Sequence, residues 1–216
     1  MSESDRQSVA FRSYVSAEDH GRANFYALIS RLFVAPPDAA LLSAIASSPP
    51  LSTDDDGAPL PLAWSKLMAA SGVIDEDAAR EEFDALFGGV GKSALNLHAS
   101  HHLTGFMMEK PLADIRASLA TLGLTRLASQ SLVEDHLSGL CEVMRLLIVG
   151  SEAASFSPVN LQTQRQFFDA SIAPWFEKCC SAILKYPLAN YYRVVAELAC
   201  EFLRVELESF TINATT

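Results

Sequence analysis

The sequence predicts an all-α protein, and three observations carry that expectation. Apolar residues recur at three- and four-residue spacing through nearly every patterned stretch, as they do along a helix buried on one side. Period-two alternation, which a half-buried strand needs, is absent. Ser, Asp, Pro and Gly stand between the patterned stretches at the positions where helix caps and stops belong.

Each element follows from its own residues. Ser16 with Asp19 three residues on has the form of a capping box, with Asp in place of the usual Glu. Phe25, Leu28, Ile29, Leu32 and Phe33 then share a stripe that Pro36-Pro37 ends. A short helix carries Leu41, Leu42 and Ile45. Residues 48–61 hold four prolines, a glycine and three aspartates, which predicts an exposed loop. Trp64, Leu67 and Met68 mark another short helix ending at Gly72. Asp75 caps the next, whose Ala79, Phe83, Leu86 and Phe87 stop at Gly88-Gly89. Residues 88–97 are irregular, and 98–108 are ambiguous in pattern.

Pro111 suits a first helical turn, Leu112, Ile115, Leu119 and Leu122 follow, and Gly123 fits the C-terminal cap. Ser131 and Glu134 form a capping box for a helix running through His136 and Glu142 to Val149. Ser157-Pro158 and Pro174-Trp175 open two more helices. After Pro187 the last helix carries Leu188, Tyr191, Tyr192, Val195, Leu198, Phe202 and Leu203.

Composition narrows the function. Half of the 216 residues are hydrophobic, enough for a substantial core. The formal net charge of −10 argues against nucleic acid and favours a basic peptide or protein as partner. No stretch of about 18 apolar residues exists, so no stable membrane insertion is expected. The start, Met1-Ser-Glu-Ser-Asp-Arg, lacks the charged and apolar regions of an export signal. Cys141, Cys179, Cys180 and Cys200 include no C-x-x-C and read as buried thiols in a reducing, cytoplasmic setting. The vicinal Cys179-Cys180 invites a redox role, although helix neighbours point about 100° apart and so bond each other poorly.

The stretch from Glu134 to Glu142 is the most telling. Seven residues bring a helix round to about 340°, so Asp135 and Glu142 are expected on one outward stripe, with His136 at its border. Leu137, Leu140, Cys141, Met144, Leu147 and Ile148 fall on the opposite, buried side. An acidic outward stripe suits a cationic partner; its plain alternative is dipole-favoured acids at a helix start plus one solvated Glu142.

Rival chemistry is weaker. His98, His101 and His102 have a spacing at which helical residues converge on a metal, but the accompanying Glu of the zinc-protease motif is missing. Gly88-Gly89-Val90-Gly91-Lys92-Ser93 is too short for a phosphate loop and follows no strand. No nucleophile elbow is legible. The residues therefore point away from an enzyme and away from a resident cofactor. A helical metal- or nucleotide-dependent enzyme using the three histidines, or an adaptor that grips a helix, remain the alternatives.

Taken in order, several segments resemble the TorD/DmsD/NarJ family of cytoplasmic chaperones for molybdoenzymes. Tyr26-Ala-Leu-Ile-Ser-Arg-Leu-Phe33 before Pro36-Pro37 is similar to that family's opening helix, and Phe83-Asp-Ala-Leu86-Phe87 to its aromatic-x-x-Leu-Phe segment. Glu134-Asp135-His136-Leu137 with Glu142 resembles its E-P-D-H motif, Val133-Glu134 standing where Glu-Pro is commoner. Ala173-Pro174-Trp175 and Asn190-Tyr191-Tyr192-Arg193 with Glu197-Leu198 resemble two later segments. The family's P-P-x-x-S is represented by Leu97-His98-Ala99-Ser100, which keeps only the serine.

The resemblance implies a TorD-like single helical domain of two unequal lobes, about 16–123 and 132–212, joined through 124–131. It also implies a partner, the twin-arginine signal peptide and mature part of a molybdoenzyme catalytic subunit, held until cofactor insertion. A formate dehydrogenase or a sulfoxide or N-oxide reductase is such a client, and the chaperone is a monomer or a domain-swapped dimer. Asp135 and Glu142 are then expected to take arginine forks, with His136 assisting and Ser100 alongside. Phe83, Leu86 and Phe87 are expected to line an apolar groove. Burying about 400 Å² there yields about 10 kcal/mol before ordering costs.

Overall fold

The computed structural model describes residues 15–52, 57–88, 93–126 and 132–212. Those residues form ten helices and no strand, as the apolar spacing predicts. In order they are α1 (Ala17–Val34), α2 (Ala39–Ala46), α3 (Pro59–Ser71), α4 (Glu76–Phe87), α5 (Ala99–Thr104), α6 (Lys110–Thr121), α7 (Leu137–Val149), α8 (Leu161–Ser171), α9 (Phe176–Leu184) and α10 (Tyr191–Ile212).

Local chemistry accounts for most boundaries. The Ser16 hydroxyl oxygen accepts the Asp19 N–H at 3.0 Å and donates back to the Asp19 carboxylate at 2.8 Å, closing the start of α1. Asp38 and Asp75 cap α2 and α4 through the N–H groups of Leu41 and Ala78, both at 2.8 Å. Gly123, just past α6, has φ +72°, a left-handed conformation that glycine adopts without strain.

Four expectations are corrected. The loop over 48–61 ends sooner, because Pro59 opens α3, where a missing N–H removes no helical bond. The helix expected from Ser157-Pro158 begins at Leu161, capped by Asn160, whose side-chain oxygen accepts the Thr163 N–H at 2.9 Å. The last helix starts at Tyr191, leaving Leu188 outside it and 59% exposed. The start of α7 moves furthest: Glu134, Asp135 and His136 precede the helix, and His136 is its N-cap. The reason is backbone pairing. The Leu137 N–H donates to the Leu97 carbonyl at 2.8 Å, and the Ala99 N–H to the Asp135 carbonyl at 2.9 Å. A carbonyl taken by that antiparallel bridge is held in extended geometry that no helical turn shares. Ser131, and with it the proposed capping box, lies outside the described residues.

Packing joins the early and late helices. α1 lies along α7, and α10 packs against α3 and α9 while also touching α1, α4 and α8. One apolar core results, with Tyr26, Phe33, Trp175, Phe176 and Tyr192 among its largest fully buried members. Two acids, one buried and one half-buried, tie α10 down. Glu206, 2% exposed, accepts a two-pronged bond from Arg22 at 2.8 and 2.9 Å and the Tyr26 hydroxyl at 3.0 Å. Glu82 of α4 accepts the N–H groups of Asn190, Tyr191 and Tyr192 at 2.8, 3.1 and 2.8 Å. The opening turn of α10 is thus capped from across the fold, satisfying donors that every helix start leaves orphaned.

Candidate functional site

The bridge between 97–99 and 135–137 brings the two singled-out segments side by side. Asp135 and Ser100 are both buried, at 1% and 0% exposure. One Asp135 oxygen accepts the Ser100 hydroxyl at 2.6 Å and the Ser100 N–H at 3.0 Å. Its other oxygen has no protein partner. The expectation of an outward Asp135 stripe is therefore overturned. Asp135 stands before the helix, where the 100° step does not apply, and it caps the first turn of α5 from outside.

His136 is buried beside it. Its Nδ1 accepts the Ser138 N–H at 3.2 Å and the Ser138 hydroxyl at 2.8 Å, so that nitrogen carries no proton. Burial, with a smaller contribution from nearby His98, drives its pKa down to about 3. The His98 ring stands edge-on to His136 with centroids 4.9 Å apart, and burial lowers its pKa against the pull of Asp135.

The three histidines do not converge. His98 turns to His136, while His102 stacks on Trp175 at 5.4 Å and donates from Nε2 to the Asn96 carbonyl at 2.7 Å. His101 is exposed. Among the described residues no three His, Cys, Asp or Glu side chains form a group suited to a metal ion.

The expected aromatic groove is also corrected. Leu86 is 0% exposed, and Phe83 and Phe87 pack edge-on or tilted against Tyr192 with centroids 5.7 and 5.1 Å away. The flat stripe on α4 faces the core because α10 covers it. Of the turn Gly88-Gly89-Val90-Gly91-Lys92, residues 89–92 lie outside the described residues.

A hollow opens elsewhere, between α1, the end of α6 and the start of α7. It has a volume of about 390 Å³ and an apolar wall that includes Val34, Leu119, Leu124, Val143 and Leu146. Glu142 and Glu134 border it together with Arg126. Glu142, its side chain 44% exposed, pairs with Arg145 at 2.6 Å, three residues along the same helix. Glu134 accepts two bonds from Arg116 at 2.9 and 3.1 Å and lies 3.4 Å from Arg126. Burial alone raises the Glu134 carboxyl, and Arg116 reverses this and holds it below its ordinary range.

Of the expected residues, then, the structure puts only Glu142 on an accessible hollow, while Asp135, His136 and Ser100 form the scaffold behind it. Glu134, read from the sequence as a capping residue, is the second acid at the rim. The apolar wall drew no attention in sequence because Val143 and Leu146 are ordinary members of a helical pattern. Arg116 and Arg126, which hold Glu134, come from α6 and the segment after it, and no local spacing links them to it.

A family model described as nitrate reductase delta subunit matches residues 53–181, more than half of the chain. The match spans both segments of the bridge and the whole of α7. Among curated proteins, none matches the chain significantly.

Proposed function

The chain belongs to the nitrate reductase delta subunit family, the NarJ/TorD-type chaperones of molybdoenzyme maturation, and from that premise we propose a receptor for the twin-arginine signal peptide of a molybdoenzyme catalytic subunit. The single observation supporting this most is the adjacency of the half-exposed Glu142 to one apolar hollow, with Glu134, already bonded by Arg116, adding negative charge at the rim. A twin-arginine leader offers the complementary chemistry, two planar guanidinium groups followed by an apolar segment. Each guanidinium pairs with a carboxylate through two parallel hydrogen bonds.

Exchange at Glu142 is cheap. Its present partner Arg145 is a surface pair on one helix, contributing about 0.3–0.5 kcal/mol, so an incoming arginine displaces it with little loss. The apolar segment seats against Val34, Leu119 and Val143. Asp135, Ser100 and His136 act as positioning residues, fixing the backbone that carries both acids to the hollow. On this reading the protein works in the cytoplasm, holding its client until the cofactor is inserted, and contributes no chemistry of its own.

Titration calorimetry with a synthetic twin-arginine leader tests this. Glu134→Gln with Glu142→Gln is expected to weaken binding by at least about tenfold, or about 1.4 kcal/mol. Val143→Asp is expected to weaken it similarly, and a twin-lysine leader to bind less well than the arginine form. Unchanged affinity in both variants, with helical circular dichroism intact, overturns the proposed site.

A further inference from the structure

The four cysteines, spread from 141 to 200 in sequence, gather where α7, α9 and α10 meet, and all four are free and buried. Their mutual influence is direct: Cys141 senses Cys179, Cys179 senses Cys200, and Cys180 senses the other three. The sequence neighbours do not pair. The Cys179 thiol points to the Asn96 carbonyl at 3.9 Å, while the titration of Cys180 and that of Cys200 are each governed first by the other.

Helix register supports that contact independently. Arg204 of α10 bonds Glu177 of α9 at 3.0 Å, which sets these two helices side by side. Cys180 lies about one turn after Glu177, and Cys200 about one turn before Arg204. In an antiparallel pair those positions face each other.

We propose that Cys180 and Cys200 form an oxidisable dithiol, a modification site where a peroxide converts the α9–α10 contact into a disulfide, Cys200 attacking and Cys180 resolving. Cys200 is the least covered of the four residues, at 4% exposure against 1% for Cys179 and Cys180 and 0% for Cys141. It is also the one of the four whose pKa is lowered. The Cys180 hydrogen bond, assisted by Arg204 and opposed by burial, Glu201 and Glu177, draws its pKa below the ordinary thiol value. Burial pushes Cys179 up to about 12 and Cys141 further still, and its bond to Cys200 together with burial raises Cys180. A lowered thiol with a resolving partner in contact is the arrangement that oxidises reversibly.

The step balances. The Cys200 thiolate attacks one peroxide oxygen, the O–O bond breaks, and hydroxide leaves and takes up a proton as water. Cys200 is now a sulfenic acid. The Cys180 sulfur attacks it, the S–S bond forms, the S–O bond breaks, and the departing hydroxide takes the Cys180 proton. Two thiols lose two electrons, and hydrogen peroxide is reduced to two waters.

The test treats the purified full-length chain with hydrogen peroxide, then counts thiols under denaturing conditions and maps peptides without reductant. The wild type is expected to fall from four titratable thiols to two, with one linked peptide pair through Cys180 and Cys200 that dithiothreitol separates. With dimedone present, Cys180→Ser is expected to accumulate a trapped sulfenic acid at Cys200. Cys200→Ser is expected to oxidise at least about tenfold more slowly. Four surviving thiols, or a link through Cys141 or Cys179 in place of this pair, overturn the proposal. Because the wild-type map decides by itself, a variant that fails to fold leaves the outcome readable.

Discussion

Asp135 shows how a residue's role depends on what lies far away in sequence. Its acidity and its neighbours His136 and Glu142 were legible, but its position on an exposed stripe was extrapolated from a helix that had not yet begun. The partner that draws it inward, Ser100, is 35 residues away, and no spacing rule joins them. His136 carries a measurable consequence of the same burial. The fold holds it near 3, whereas in the unfolded chain its pKa returns to the usual 6.5 or so. On acidification the unfolded chain therefore takes up the proton first. The stability that depends on neutral His136 is fully present above about pH 6.5 and is lost as pH falls toward 3, at up to about 1.4 kcal/mol per pH unit. His98, lowered mainly by burial, acts in the same direction. Urea midpoints measured between pH 7 and 4 should fall steeply in the native chain. In His136→Asn, which keeps a capping acceptor for the Ser138 N–H but does not titrate, the slope should be shallower.

At the scale of elements, the caps and stops that lie within one helix were readable: Ser16 and Asp75 do locally what their chemistry predicts. What escaped is the capping done by tertiary partners. Glu82 belongs to the charged face of α4 in any helical projection, yet it serves α10, more than a hundred residues on. Glu206 sits in the long pattern of α10 with nothing to mark it as buried until Arg22 and Tyr26 of α1 close over it. Removing Glu206 strands an arginine and a hydroxyl in the core, so Glu206→Ala should cost about 3–5 kcal/mol. Glu82→Ala, which frees three N–H groups at a partly solvated helix start, should cost about 1–2 kcal/mol. Asp114→Ala, which breaks only an exposed pair with Lys110, should stay within about 0.5 kcal/mol. Urea denaturation monitored by circular dichroism ranks the three, and an order other than this one contradicts the account of what anchors α10.

Across the whole molecule, the all-α class was plain from periodicity, because that signal needs only neighbours three and four residues apart. The arrangement of the helices was not, because α1 chooses α7 and α10 chooses α3 through surfaces that no local pattern distinguishes. The hollow belongs to this level. Its walls come from α1, α6 and α7, and its acids from α7 and the segment just before it, so it exists only once the bundle has closed. The same holds for the cysteines, whose proximity reflects how α7, α9 and α10 assemble.

The pairing of 97–99 with 135–137 has one further mechanical consequence. It fastens the chain at both ends of α5 and α6, making the stretch between them a handle whose two roots are stitched together. At its tip, Phe106 and Met108 project at 69% and 70% exposure, the latter at φ 58°. A protease that cuts after Phe106 severs the strand of covalent bonds but leaves both roots in place. The two pieces should travel as one species through a sizing column and separate only in denaturant, and early separation in plain buffer would show that the stitching does not hold.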